Sequence, residues 1–115
     1  MGPVGQPLDG GYVDITPDEL LSYLPGARII DVREPSEFTG PLGRIPSAEL
    51  APLAQLAARA AAWPKEQPLI LVCRSGMRSA RGAAELSRSG FTHVLNLRGG
   101  MQAYAVTSLP IERGP

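Results

Sequence analysis

The sequence is poor in cysteine, carries no net charge and has no long apolar run. Its 115 residues include one cysteine, so an internal disulfide is excluded. Lys and Arg total 11 and Asp and Glu total 11, so no whole-molecule field attracts nucleic acid or an anionic membrane. No apolar stretch approaches bilayer-spanning length, and no secretory signal is visible. We therefore expect a cytoplasmic protein that binds neither nucleic acid nor membrane.

The length and the residue pattern predict one α/β domain. Residues 1–11 are expected to form a flexible tail and residues 12–114 the domain. Apolar strands are predicted at residues 12–15, 28–32, 69–72 and 94–97, and helices at 17–24, 52–64 and about 79–89. In the first helix Leu20, Leu21 and Leu24 are expected to face inward. Strands that alternate with helices favour a mostly parallel sheet with helices on both faces.

The chemistry of the sequence is concentrated around Cys73, which follows the most apolar strand and precedes a helix. The amino end of that helix and the charges of Arg74 and Arg78 favour a thiolate and lower its pKa. Gly76 allows successive N–H groups to point into the loop, and Ser79 is placed to donate its hydroxyl to the sulfur. The alternative is an inert buried cysteine, but that fits poorly with so polar a loop.

Other polar residues follow the neighbouring strands. Ligands of open α/β sheets bind at the carboxyl ends of strands, so residues 31–34, 73–78 and 98–100 are expected to converge. Asp31 is predicted to have a structural role, in which its carboxylate either orients the Cys73 loop through hydrogen bonds or caps a turn. For Arg33, a surface ion pair with Glu37 is favoured over substrate binding. His93 is expected on the surface, away from Cys73.

Five segments, in order along the chain, resemble the rhodanese family. Residues 73–79, CRSGMRS, are similar to its active-site loop, in which an arginine lies five positions after the cysteine. The other four similar segments are residues 29–35 with Glu37 and Phe38, residues 43–48, residues 97–100 with Ala103 and Tyr104, and residues 109–114. Arg44, Ser47 and Tyr104 stand where the family usually has His, Gly and Trp. These departures bear on substrate or partner preference rather than on fold.

The resemblance implies a rhodanese-like domain and sulfur transfer. Cys73 would take the outer sulfur of thiosulfate or a similar small anion and hold it as a persulfide, and a thiol or cyanide would then remove it. The residues implied to bind the donor are Arg74, Ser75, Gly76, Met77, Arg78 and Ser79. Neither a metal nor an organic cofactor is implied.

Two alternatives remain open at this point. A cysteine-dependent phosphatase or arsenate reductase would use a similar anion loop, but the related phosphatases place the arginine six positions after the cysteine, where this chain has Ser79. A persulfide relay or regulatory module that acts with a protein sulfur acceptor would keep the same loop. The sequence does not separate a relay from a free-standing enzyme, because the difference lies in the acceptor.

Overall fold

The computed structural model describes residues 11–114, and in it five strands form one parallel sheet in the order β1-β5-β4-β2-β3. The strands are β1 (Val13–Ile15), β2 (Arg28–Asp31), β3 (Glu49–Leu50), β4 (Leu69–Val72) and β5 (Val94–Leu97). The α-helices are α1 (Pro17–Leu20), α2 (Pro35–Phe38), α3 (Leu56–Ala60), α4 (Met77–Arg88) and α5 (Gly100–Ala105). Two 3-10 turns, Leu21–Tyr23 and Leu53–Gln55, complete these elements. The predicted tail lies outside the described residues, apart from Gly11.

Strand β4 lies at the centre of the sheet because all four of its side chains are apolar and buried. Helices α3 and α4 cover one face of the sheet, where Leu56 and Leu86 pack in the same cluster as Leu71. Helices α1 and α5 cover the other face, where Leu20 and Met101 join the second cluster. The predicted α/β fold, with a parallel sheet between helices, is confirmed.

Several element boundaries differ from the predictions. Helix α1 ends at Leu20 and continues as a 3-10 turn, which rotates Leu21 outward to 55% exposure, so its predicted inward orientation is wrong. Helix α4 begins two residues before the predicted start, and α5 was not predicted at all. Within residues 11–114, every helix is too short or too polar to span a lipid bilayer.

Candidate active site

Cys73 lies at the carboxyl end of the central strand, between the ends of its two neighbours. The backbone N–H of Val32 donates to the Val72 carbonyl at 2.9 Å, and that of Met101 donates to the Cys73 carbonyl at 2.8 Å. These bonds bring the chain after β2 and the chain after β5 against the Cys73 loop. The predicted convergence of three segments at this edge of the sheet is therefore observed.

The sulfur of Cys73 is fully buried and accepts hydrogen bonds from the start of helix α4. The N–H groups of Gly76 and Ser79 lie 3.1 and 3.3 Å from Sγ, and the Ser79 hydroxyl lies 3.3 Å from it. Gly76 precedes the helix with φ of 96° and has no side chain to act as a cap. The sulfur therefore takes the place that a capping oxygen usually fills at a helix amino terminus.

These contacts favour the thiolate of Cys73. Burial raises the pKa of the thiol, since a charged sulfur loses its hydration. The hydrogen bonds from the Ser79 hydroxyl and from the N–H groups of Ser79, Gly76 and Ser75 act in the opposite direction, and the net pKa is lowered. Most of this stabilisation comes from dipoles that the fold holds in place, so Cys73 fits the pattern of a reactive rather than an inert cysteine.

Helix α5 holds the loop from the opposite side. The N–H groups of Met101 and Gln102 donate to the carbonyls of Cys73 and Arg74 at 2.8 and 2.9 Å. This contact needs glycine at position 100, where φ is 57° and an added Cβ would lie 2.6 Å from the Arg74 carbonyl carbon. The closing Gly-Gly segment thus positions the Cys73 loop through its backbone.

Arg78 has an ion-pair partner that the sequence pattern did not reveal. Its guanidinium donates two hydrogen bonds to the Glu37 carboxylate, at 2.7 and 2.8 Å. The hydrogen bond from Arg78 lowers the pKa of Glu37 to about 2, and the same bond raises the pKa of Arg78. Because the two residues lie 41 positions apart, no local signal predicts the pair. Arg74, in contrast, is exposed and has no ion pair within the described chain.

The predicted surface ion pair between Arg33 and Glu37 is wrong. Arg33 is 1% exposed, and its guanidinium donates to both carboxylate oxygens of Asp31 at 2.9 and 2.8 Å. It turns inward because a buried carboxylate is available two residues earlier on the same segment. The guanidinium also donates to the backbone carbonyls of Glu37 and Gly43, at 3.1 and 2.9 Å. Arg33 therefore links Asp31 to helix α2. The same helix carries Glu37, the partner of Arg78.

The remaining side chains that the sequence singled out lie outside this cluster. His93 is exposed at the amino end of β5, as expected, and its Nδ1 lies 3.0 Å from the Thr92 hydroxyl. Tyr104 is buried and donates to the Pro110 carbonyl at 2.7 Å. Arg44 donates to the Gly114 carbonyl at 2.6 Å, so it holds the end of the described chain. Tyr104 and Arg44 therefore hold the carboxyl-terminal segment against the rest of the domain, whereas His93 lies at the opposite end of the sheet from Cys73.

The chain is similar to one protein family and to several known proteins and structures. The family named Rhodanese-like domain matches residues 16–107. A protein of Allochromatium vinosum named Sulfurtransferase is 40% identical over 72% of this chain and 76% of its own length. Thiosulfate sulfurtransferase GlpE of Pseudoalteromonas translucida is 35% identical over 74% of this chain and 80% of its own. A rhodanese-like domain protein from Staphylococcus aureus, known from its crystal structure, is 32% identical in sequence to this chain. The structural match covers 87% of this chain and 98% of that protein's chain, with a TM-score of 0.74.

Proposed function

Because this chain belongs to the rhodanese-like domain family, we propose that it is a sulfurtransferase that carries sulfur as a persulfide on Cys73. The observation that supports this most directly is the environment of Sγ, which accepts three hydrogen bonds from Gly76 and Ser79. A sulfur surrounded by fixed donors is suited to bear negative charge both as a thiolate and after it has gained a second sulfur. A lone thiol of this kind also suits the reducing cytoplasm.

The first half-reaction is a displacement at sulfur. The Cys73 thiolate attacks the outer sulfur of thiosulfate, a new S–S bond forms to Sγ, and the original S–S bond breaks with its electron pair leaving on sulfite. We assign the exposed Arg74 to the anionic donor, since its guanidinium has no carboxylate partner in the described chain. The N–H groups of the loop, including that of Ser75, hold the charge of the persulfide.

Arg78 takes a second role in this scheme. Two of its N–H groups are held by Glu37, and a guanidinium has five, so others remain for a donor anion. The pair fixes the direction of the side chain and reduces its net charge. We therefore propose that Arg78 orients the donor while Arg74 supplies most of the positive charge.

The second half-reaction regenerates the thiolate. A thiolate or cyanide attacks the outer sulfur of the persulfide, the S–S bond to Cys73 breaks, and its electron pair returns to Sγ. The products are an acceptor persulfide or thiocyanate. No oxidant or reductant is consumed, because sulfur at the same oxidation level passes from the donor to the acceptor.

Mass spectrometry of the intact protein tests the covalent step. Brief treatment with thiosulfate is expected to add the mass of one sulfur atom, and cyanide or dithiothreitol is expected to remove it. Cys73→Ser should abolish the adduct while leaving the circular dichroism spectrum unchanged. An unchanged mass with every sulfur donor tried would contradict the assignment.

The cysteine-dependent phosphatase is disfavoured by the length of the loop. Arg78 lies five positions after Cys73, one fewer than in the related phosphatases, so the ring of N–H groups is smaller than a phosphoryl group requires. Hydrolysis of an aryl phosphate should be negligible beside sulfur transfer. Phosphate release that disappears in Cys73→Ser would reverse this order.

A specific surface supports a relay to an acidic protein acceptor as the second candidate. Met77 is 74% exposed beside the loop, although it is a large apolar side chain. It lines a cleft of about 410 Å³ together with Arg81 and Arg98, which are exposed and have no ion pair among residues 11–114. Asp14 also lines this cleft, but the two unpaired guanidinium groups beside Met77 outnumber it and favour an acceptor whose thiol lies among carboxylates.

Model acceptors test this candidate. A cysteine peptide flanked by glutamates should remove the persulfide sulfur faster than one flanked by lysines, and added salt should reduce the difference. Arg98→Glu should reduce the preference, whereas Arg88→Glu, a charge reversal at the far end of α4, should not. Equal rates for the two peptides would exclude the charged docking face and leave the free-standing enzyme.

A further inference from the structure

One polar residue, Asn96, interrupts the apolar strand β5 and lowers the stability of the fold there. Asn96 lies between Leu95 and Leu97, and all four side chains of the strand are buried. Asparagine is a poor strand former, and its side chain here is only 3% exposed. Its Oδ1 has no hydrogen-bond partner among the described residues. A buried oxygen without a partner lowers stability, so the residue calls for an explanation other than packing.

The other end of the Asn96 amide reaches the Cys73 loop. Nδ2 donates to the Gly76 carbonyl at 3.3 Å and to Oδ1 of Asp14, on the neighbouring strand β1, at 2.9 Å. The Asp14 carboxylate can only accept, so it turns the NH₂ group of Asn96 rather than its oxygen toward the loop. The orphaned oxygen is thus the consequence of holding the amide in this orientation.

Gly76 is held on both sides as a result. Its N–H donates to Sγ at 3.1 Å, and its carbonyl accepts from Asn96 and from the N–H of Ala80, at 3.2 Å. The residue has φ of 96°, and an added Cβ would lie 3.0 Å from the Gly99 nitrogen. Rotation of Gly76 would point its N–H away from the sulfur, and the Asn96 contact opposes that rotation.

We infer that Asn96, oriented by Asp14, is a positioning residue that holds Gly76 so that its N–H stays directed at the Cys73 sulfur. For its effect on sulfur transfer this inference rests on the proposed function. For its effect on the reactivity of the thiol it does not, because alkylation of Cys73 requires no sulfur donor. The alternative is that Asn96 only joins β5 to β1, which predicts a change in stability without a change at the sulfur.

Asn96→Leu separates these two roles. The leucine removes the unpartnered oxygen, so the free energy of unfolding is expected to stay the same or rise. The pH midpoint of Cys73 alkylation by iodoacetamide should move upward, and the alkylation rate below the midpoint should fall roughly threefold to tenfold as the thiolate fraction falls. Leu95→Ala, on the same strand but in the opposite core cluster, is the matched control, since it should lower stability and leave the midpoint unchanged.

Asp14→Ala provides an independent test at a half-buried position, which the fold should tolerate even if Asn96→Leu does not fold. Removal of a negative charge near the loop would by itself favour the thiolate and lower the midpoint. Loss of the Asn96 orientation predicts the opposite, an upward shift. A midpoint that is unchanged or lowered in this variant, or unchanged in folded Asn96→Leu, would overturn the inference, whether or not the wild-type protein transfers sulfur.

Discussion

Helices α4 and α5 begin in the same way but face different partners. Each follows a glycine with positive φ, Gly76 at 96° and Gly99 at 77°, and neither of these residues offers a capping side chain. N–H groups in the first turn of α5 donate to the carbonyls of Cys73 and Arg74, whereas the N–H groups of Gly76, just before α4, and of Ser79, in its first turn, donate to Sγ of Cys73. The N–H donors of α5 have carbonyl acceptors, whose charge does not change. The donors at the start of α4 have a sulfur acceptor, which can gain or lose a negative charge. The start of α5 thus positions the Cys73 loop, and the start of α4 stabilises negative charge on the Cys73 sulfur.

The largest expected effect comes from removing the close packing of α5 on the loop. Gly100→Ala places a methyl group against the Cys73 and Arg74 carbonyls and strains a residue with φ of 57°. We expect the free energy of unfolding to fall by about 2–4 kcal/mol, measured in denaturant. Gly26→Ala is the control, because φ there is 109° but no atom of residues 11–114 lies within 4 Å of the added carbon. If the two variants lose equal stability, α5 does not hold the loop by close contact.

A smaller effect is expected from removing one donor on the α4 side. Ser79→Ala deletes the hydroxyl that lies 3.3 Å from Sγ, so the lowered pKa of Cys73 should move back toward that of an ordinary thiol. A rise of about half a unit to one unit, or about 0.7–1.4 kcal/mol, is expected in the pH dependence of alkylation. Ser87→Ala on the same helix should leave the midpoint unchanged, since its hydroxyl donates to the Gly11 carbonyl. A shift of the same size in both variants would contradict this account.

The smallest expected effect is on the free energy of unfolding, and it comes from removing the ion pair between Arg78, in α4, and Glu37. Glu37→Gln removes the partner of Arg78, and we expect a loss of about 0.5–1 kcal/mol at neutral pH because the pair is partly exposed. The pKa of Glu37 is lowered to about 2 in the folded protein, so the pair contributes fully above its ordinary value near 4.5. The difference between wild type and variant should therefore shrink as the pH falls from 4.5 toward 2. Unfolding curves over this range measure it.

Glu85→Gln, at an exposed position without an ion pair in the described chain, is the control for the Glu37 variant. It should show no such change over the acid range. A wild-type protein that loses no more stability than Glu37→Gln between pH 4.5 and 2 would show that the pair does not contribute to folding.

The parts of the site that the sequence predicted are those whose causes are local. The strand before Cys73, the glycine turn and the hydroxyl of Ser79 fall within a few consecutive residues, so their geometry follows from short-range rules. The contact of that hydroxyl with Sγ was predicted and is observed. The parallel sheet was also predictable, because buried strands alternated with helices along the chain.

The parts that were missed depend on residues distant in sequence. Arg33 was assigned to the wrong carboxylate because spacing alone does not show which side of a turn is buried. The Arg78 partner lies on another element, and helix α5 was not predicted because Gly99 and Gly100 lie at its start and glycine has a low helix propensity. The packing of α5 on the loop overrides that low helix propensity. Tertiary contacts, rather than local preference, decide each of these cases.

The use of sulfur as the cap of α4 links its chemical state to the melting behaviour of the protein. Because the pKa of Cys73 is lowered in the folded state, ionisation adds stability that is complete above the ordinary thiol pKa and is lost as the pH falls through the lowered value. A neutral adduct on the sulfur would weaken the cap, whereas a charged adduct would preserve it. The thermal denaturation curve is therefore expected to report, without a label, whether the Cys73 sulfur is charged.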